Sequence, residues 1–210
     1  MLGAGSWGSA LAKHMADQVH PVRLWARREE QAAEIRDTKI NSRYLPDRLF
    51  PDTLTATSSL QEALHDAELV LSVIPSQSTR AVWEPAKEAL PAGIPILCAS
   101  MGIEYESLDM MVTVLEATVP GHPIVFLGGP SFAKEVADHR PTAVVVASRD
   151  TKMAEEAQAL MSCDWMRAYY SDDVVGVEIG GALKNVVAIA CGIADGLGLG
   201  HNTRAAIITR

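Results

Sequence analysis

The sequence is poor in cysteine and in positive charge, and both shortages exclude classes of function. Its three cysteines, Cys98, Cys163 and Cys191, lie far apart and form no Cys-x-x-Cys pair. This argues against a disulfide framework and against a zinc or other metal site, and it fits a reducing cytoplasm. The formal net charge is −8, with 18 Lys and Arg against 26 Asp and Glu. We therefore expect no nucleic-acid or anionic-membrane partner, since both require a surplus of positive charge.

Long uninterrupted apolar runs and a signal peptide are also lacking. The longest apolar region, 182–200, is interrupted by Lys184, Asn185 and Asp195, so we expect no membrane span. Met1 and Leu2 lead directly into a glycine-rich turn, without the basic and apolar regions of a signal peptide. The sequence therefore predicts a cytoplasmic protein.

Apolar runs alternate with helical patterns, which is typical of a parallel sheet covered by helices. From residue 174 the chain becomes rich in Gly, Ala, Val and Ile, and Asp172 and Asp173 are suitable N-caps for a long buried helix. The sequence predicts an α/β fold: a Rossmann-type doubly wound sheet over residues 1–171, then the start of an all-α substrate domain over residues 172–210. The predicted strands are 22–25, 69–73, 96–99, 124–127, 142–147 and 167–170.

Both ends of the sequence fall inside predicted elements. A Rossmann unit needs a strand of about five residues before its first glycine. Only Met1 and Leu2 precede Gly3 here, and residues 203–210 have the pattern of a helix that stops midway. We therefore expect a fragment of a longer enzyme, inactive alone, in which the first strand and the helical domain are truncated.

The strongest local motif is GAGSWG at residues 3–8, directly before an amphipathic helix. In a dinucleotide-binding turn, Gly3 permits the tight turn, Gly5 lets the backbone approach the pyrophosphate, and Gly8 lets the helix pack closely on the sheet. The amides and positive dipole of the helix start would then face the phosphates. The alternative is a purely structural glycine turn, which the continuing βα alternation disfavours.

The end of the second predicted strand usually selects between NAD and NADP. An acidic residue there would bind the ribose 2′-hydroxyl of NAD. This sequence instead has Arg27 and Arg28, which can pair with a 2′-phosphate and so favour NADP, with NAD kept open. The alternative is a solvated start to the next helix, neutralised by Glu29 and Glu30.

Lys184 stands in an otherwise apolar helix. Burying its ammonium would be costly unless it is paired or lines a cleft, and a desolvated ammonium gives up its proton readily. Asp195, eleven residues on, has nearly the same helical azimuth, so both could face one cleft. The alternative is a lysine that extends to solvent.

Several segments together resemble the bacterial NAD(P)-dependent glycerol-3-phosphate dehydrogenases. The resemblance covers essentially the whole sequence. It implies reversible reduction of dihydroxyacetone phosphate to sn-glycerol 3-phosphate with NADP or NAD as cofactor, in glycerophospholipid synthesis. The segments are GAGSWGSALA at 3–12, NSRYLP at 41–46, GPSFAKE at 129–135, and the run from Gly180 through Asp195-Gly196 to Thr203-Arg204.

The resemblance also implies roles for individual residues. Lys184 would be the acid/base, donating a proton to the carbonyl oxygen as hydride reaches carbon, and Asn185 would orient the reacting oxygen. Gly129 and Ser131 would help to hold the substrate. Contacts to the dinucleotide would come from Ser6, Trp7, Arg27, Arg28 and Ala133.

One position departs from the family pattern. After the strand ending at Ser100 the family has Lys-Gly, with the lysine reaching nicotinamide and substrate, whereas this sequence has Met101-Gly102. A thioether supplies no charge and donates no hydrogen bond. Two alternatives therefore stay open: a related dehydrogenase of a hydroxy acid or sugar acid, and a module that binds the dinucleotide without turnover. The oligomeric state is open too, with a homodimer among the assemblies allowed.

Overall fold

Strands and amphipathic helices alternate along the computed structural model, which describes residues 1–209. The strands are β1 (Val22–Trp25), β2 (Leu54–Thr57), β3 (Val70–Ser72), β4 (Ile96–Cys98), β5 (Ile124–Gly128), β6 (Thr142–Ala147) and β7 (Met166–Ser171). The helices are α1 (Ser6–Asp17), α2 (Glu29–Thr38), α3 (Leu60–Leu64), α4 (Thr79–Ala86), α5 (Met111–Thr118), α6 (Ala133–Ala137), α7 (Thr151–Met161), α8 (Val174–Gly196) and α9 (Gly200–Thr209).

The first two residues join two groups of strands into one sheet. β1 pairs with β2, and β3 to β7 are neighbours in chain order. Leu2 forms parallel bridges to Trp25 of β1 and Ser72 of β3, so it occupies the place of a central strand. Its amide donates to the Leu71 carbonyl at 2.8 Å, and its carbonyl accepts from the Val73 amide at 2.8 Å. The Rossmann-type sheet is therefore confirmed.

The pairing of β5 with β6 departs from the parallel arrangement that the alternation of strands and helices predicts. These two strands are antiparallel, with Phe126 opposite Ala147, while the other pairs are parallel. A parallel return needs a crossover helix that lies along the sheet. The helix between them, α6, is five residues long and packs against α1 instead. β6 consequently enters the sheet in the opposite direction.

The apolar faces of the helices pack on both sides of this sheet. Leu11 of α1 packs in one core cluster with Leu24 of β1, and Trp83 of α4 packs in the other with Phe126 of β5. All four side chains are essentially inaccessible to solvent. Burying side chains of this size contributes roughly 1.5–3 kcal/mol each to stability. This packing holds the helices on the sheet and so fixes the position of the carboxyl edge of its strands.

The long helix α8 forms as expected but is not buried. The carboxylate of Asp173 accepts from the Gly176 amide at 2.8 Å and caps its start. Only Val174, Glu178 and Ala194 of this helix are buried. By length and composition alone, α8 is the one helix of the described residues that could cross a membrane. This differs from the expectation drawn from 182–200, because α8 begins eight residues earlier in an apolar stretch.

His14 gives the folded chain a predictable dependence on pH. It is buried in α1, with Nε2 3.1 Å from the Met161 carbonyl oxygen, and burial lowers its pKa from 6.5 to about 4. The folded state therefore favours neutral imidazole, and stability present above pH 6.5 is lost as pH falls toward 4. We expect His14 to account for a loss of about 3 kcal/mol in the free energy of unfolding over this window, measured by urea denaturation.

The variant His14→Gln should remove most of this pH slope. The exposed His20 is the matched control, and His20→Gln should keep the wild-type slope. A wild-type slope in His14→Gln would mean that other groups set the acid limit of the fold.

Candidate dinucleotide and substrate site

A cavity of about 610 Å³ opens beyond the carboxyl ends of β1, β3 and β4. This volume lies within the usual range for a small-molecule site, and the carboxyl ends of the strands are where doubly wound sheets bind ligands. Two of the predicted residues, Gly129 and Asn185, are not among its lining residues. The predicted residues that do line it are Gly3, Gly5, Ser6, Trp7, Gly8, Arg27, Arg28, Ser131, Ala133 and Lys184.

The three glycines of the turn differ in what surrounds them. Gly3 has φ +111°, and a Cβ there would lie 2.3 Å from the Val73 carbonyl oxygen. A Cβ on Gly8 would lie 1.9 Å from the Gly3 carbonyl oxygen, whereas a Cβ on Gly5 would meet nothing within 4 Å. Gly3 and Gly8 are therefore required by the fold, and Gly5 keeps open the space that a phosphate would enter.

Two buried amide side chains hold this turn through hydrogen bonds to its backbone. Asn41 donates from Nδ2 to the Ala4 carbonyl at 3.0 Å and to the Ser9 hydroxyl at 2.8 Å. Gln31 donates to the same Ala4 carbonyl at 2.7 Å. These bonds fix the carbonyl of the residue that precedes Gly5, and Gly5 itself lines the cavity. Sequence reasoning did not assign these two residues a role, although Asn41 opens the NSRYLP segment that carried part of the resemblance.

The start of α1 is arranged to receive an anion. Its N-cap is Gly5, and no side chain of the described residues caps it. The first amides and the positive end of the helix dipole are then available to a phosphate. Trp7 Nε1, in the same turn, is buried and has no hydrogen-bond partner within residues 1–209. The residues present therefore fit the pyrophosphate of a dinucleotide.

Arg27 and Arg28 line the cavity where the chain leaves β1. The alternative of local neutralisation by Glu29 and Glu30 does not match the contacts. Glu29 accepts from the Ser58 hydroxyl and pairs with Arg36, and within residues 1–209 neither carboxylate forms an ion pair with Arg27 or Arg28. Hydrogen bonds from Ser58 and Arg36 lower the pKa of Glu29. Both arginines consequently add positive charge to this part of the cavity.

Lys184 reaches the cavity wall from α8, but not as a buried group. It is exposed, and its Nζ lies 3.4 Å from Sδ of Met101, which also lines the cavity. The expectation that Asp195 shares this cleft is wrong, because Asp195 pairs with Arg204 of α9. A bidentate arginine holds the carboxylate at the α8–α9 contact, away from the described lining.

The cavity is positive inside a protein of net negative charge. Its described lining residues include Arg27, Arg28 and Lys184 but no Asp or Glu. Within residues 1–209, no group of three or more His, Cys, Asp or Glu residues could hold a metal ion. The positive charge of Arg27, Arg28 and Lys184 suits a phosphorylated organic ligand.

Burial raises the pKa of the nearby Cys98 thiol to about 12, so this sulfur is protonated at neutral pH.

Gly129 has a structural rather than a lining position. Its φ is +136°, and a Cβ there would lie 3.0 Å from Cα of Val144. It therefore lets the chain turn from β5 into the loop that carries Ser131 to the cavity.

Two family models match this chain in succession. The model described as NAD-dependent glycerol-3-phosphate dehydrogenase N-terminus matches residues 1–154, and the corresponding C-terminus model matches residues 173–210. The chain belongs to the NAD-dependent glycerol-3-phosphate dehydrogenase family. The resemblance inferred from the sequence motifs is thereby confirmed.

Curated relatives of this family match the chain over its whole length. Glycerol-3-phosphate dehydrogenase [NAD(P)+] of Leptospira biflexa is 45% identical over 100% of this chain and 64% of its own length. The protein of the same name from Geobacter metallireducens is 47% identical, with the same coverage. The chain therefore spans slightly less than two thirds of these relatives.

Solved structures of the family share the fold. Glycerol-3-phosphate dehydrogenase from Coxiella burnetii superposes with a TM-score of 0.91 and 38% identity, covering 99% of this chain and 64% of that one. The yeast enzyme from Saccharomyces cerevisiae gives a TM-score of 0.87 at 27% identity, covering 98% and 65%. A Rossmann-type domain followed by a helical segment is thus common to all three.

Proposed function

We propose that the full-length protein reduces dihydroxyacetone phosphate to sn-glycerol 3-phosphate with NADPH or NADH, reversibly, in glycerophospholipid synthesis. One observation carries the proposal: the glycine turn, the two arginines after β1 and Lys184 line a single cavity with no carboxylate among its described lining residues. Relatives at 45–47% identity are named glycerol-3-phosphate dehydrogenase [NAD(P)+], which supports the same activity here.

The proposed division of the chain is a dinucleotide-binding domain over residues 1–171 and the start of a helical substrate domain over residues 172–210. The end of β7 at Ser171, the start of α8 at Val174 and the gap between the two family models support this division. Free cysteines throughout the described residues support a cytoplasmic location, and a homodimer is the assembly to test first.

In the proposed mechanism, the start of α1 and Gly5 would hold the pyrophosphate, and Ser6, Trp7 and Ala133, which line the cavity, would contact the dinucleotide. When bound, the nicotinamide supplies the hydride. Ser131, on the loop shaped by Gly129, helps to hold the substrate. Lys184 donates a proton to the developing alkoxide oxygen, and Asn185 orients that oxygen.

The test measures NADPH oxidation by the full-length protein with dihydroxyacetone phosphate and, for comparison, with unphosphorylated dihydroxyacetone. Hydroxy acids and sugar acids are tested in the reverse direction, as reduction of NADP. Phosphate-dependent turnover is expected. Tight NADPH binding without any reduction of dihydroxyacetone phosphate would instead favour a dinucleotide-sensing module, which Met101 makes worth testing.

Cofactor preference should depend on Arg27 and Arg28. Because both guanidinium groups would form charge-assisted hydrogen bonds with the 2′-phosphate, we expect the double variant Arg27→Ala/Arg28→Ala to raise KM for NADPH about 10- to 100-fold. KM for NADH, which lacks this phosphate, should change little and serves as the internal control. Equal wild-type KM values for the two cofactors would contradict the preference for NADP.

Met101→Lys should raise kcat/KM for dihydroxyacetone phosphate by about tenfold, because a second cation would stabilise the charge that develops on the substrate. Met101→Leu has similar volume without charge and should give no gain. Steady-state kinetics on the full-length protein would check this. A Met101→Lys enzyme without any gain would indicate that this site takes a different substrate.

A further inference from the structure

The first turn of α5 is capped by a residue from another helix. Its own N-cap, Met110, provides no side-chain hydrogen bond. Instead, Oε1 of Glu178 on α8 accepts from the Val112 amide at 3.0 Å. Glu178 is only 4% exposed, so this carboxylate is shielded from water and lies at the positive end of the α5 dipole. Burial raises its pKa, and hydrogen bonds from the Val112 and Met111 amides oppose that rise.

The same helix touches the chain between β4 and α5 at two further points. A Cβ on Gly181 would lie 3.2 Å from Sδ of Met101, and Lys184 Nζ lies 3.4 Å from that sulfur. Glu178, Gly181 and Lys184 follow one another at intervals of three residues, a row that climbs α8 by about 9 Å. The two ends of the segment 101–112 therefore contact α8, Val112 at Glu178 and Met101 at Gly181 and Lys184.

Glu178 is also the last residue of α8 before Lys184 that is buried. The preceding anchors are apolar: Val174 is buried, and Val177 packs so close to Gly128 that a Cβ there would lie 2.9 Å from its Cγ1. Apolar contacts are non-directional, whereas a hydrogen bond weakens steeply when its angle changes. The bond to Val112 is thus a directional contact between α8 and another element, and it lies just before Lys184.

We propose that Glu178 is a positioning residue, which caps α5 and thereby fixes the azimuth of α8 so that Lys184 is held at the cavity wall. The role given to Lys184 rests on the proposed function, but its location does not. The inference can therefore be tested both with and without an activity measurement.

The test without activity uses a disulfide between the two elements. A Cβ on Gly181 would lie 3.9 Å from Cβ of Met101, which matches the Cβ–Cβ spacing of disulfides. The full chain carrying Met101→Cys and Gly181→Cys should therefore oxidise readily, followed by mass spectrometry. Adding Glu178→Ala should slow this oxidation about tenfold or more, and adding Glu178→Gln, which keeps an acceptor oxygen, should slow it less than about threefold. The single-cysteine variants control for the native thiols.

The test with activity uses the full-length enzyme with native Met101 and Gly181. Glu178→Ala should lower kcat for dihydroxyacetone phosphate about tenfold while the Kd for NADPH stays within about twofold, and Glu178→Gln should restore most of kcat. Val175→Ala changes an exposed residue of α8 and should leave both constants unchanged. If Glu178→Ala does not fold, Glu178→Asp, which withdraws the carboxylate by one methylene, replaces it.

An unchanged oxidation rate in the Glu178→Ala background would overturn the inference, and so would slower oxidation with an unchanged kcat. A wild-type enzyme that does not reduce dihydroxyacetone phosphate would overturn the proposed function instead. In that case the oxidation rates still decide whether Glu178 fixes α8.

Discussion

Replacing Lys184 by alanine is expected to lower the turnover of the full-length protein about a hundredfold to ten-thousandfold and to leave the Kd for NADPH within about twofold. The described lining residues include no Asp, Glu, His or Cys that could take over as proton donor. Cofactor binding should persist, because the turn at residues 3–8 and the arginines after β1 belong to other elements. Stopped-flow NADPH oxidation and fluorescence titration would give the two constants.

Two further variants separate proton transfer from charge and from general effects. Lys184→Arg keeps the positive charge but transfers a proton poorly, so it should remain close to Lys184→Ala in turnover. Lys152→Ala removes an exposed lysine of α7 and should behave as wild type. Turnover near the wild-type rate in Lys184→Ala would exclude this residue as the acid/base.

Gly8→Ala and Gly5→Ala should fail in different ways although they lie three residues apart. The added methyl on Gly8 would meet the Gly3 carbonyl oxygen at 1.9 Å, so we expect a loss of about 3 kcal/mol or more in the free energy of unfolding. The methyl on Gly5 would meet nothing within 4 Å of the protein. Gly5→Ala should therefore fold normally and weaken NADPH binding about a hundredfold, since the methyl occupies the space of the pyrophosphate.

Urea denaturation and a fluorescence titration on both variants would make this comparison. Unchanged NADPH affinity in Gly5→Ala would mean that the turn is structural and holds no pyrophosphate. Normal stability in Gly8→Ala would mean that α1 can move away from the sheet without penalty.

Local features of the fold followed from the sequence, and features that depend on distant packing did not. β1 and β6 were predicted to the residue, because each begins directly after a proline and is rich in apolar or β-branched residues. β2 was missed, because it is only four residues long and lies in an irregular segment after Pro51, where so short an alternation of apolar and polar residues is not distinctive. The direction of β6 depends on the packing of α6 against α1, which no pattern within either segment encodes.

The candidate site divides in the same way. Gly3, Gly5 and Gly8 lie within one turn, so their spacing alone predicted their arrangement. The sequence left open whether Lys184 lines a cleft or extends to solvent, because that depends on what packs around α8; in the structure its side chain is exposed and also lines the cavity. The hydrogen bond from Val112 to Glu178 joins residues 66 positions apart, so the local sequence around either residue does not predict it. The individual site assignments stay predictions until the variants are measured.

The bridging position of Leu2 has a consequence for how the protein responds to its ligand. Within the described sheet, β1 and β2 are joined to the other strands through the backbone of Met1 and Leu2. The glycine turn begins at the next residue, so a dinucleotide that contacts both the turn and the arginines after β1 would touch both groups of strands. A ligand that binds only the folded state raises the free energy of unfolding as its concentration rises. NADPH should therefore stabilise both groups of strands together, and the midpoint of unfolding should increase with NADPH concentration.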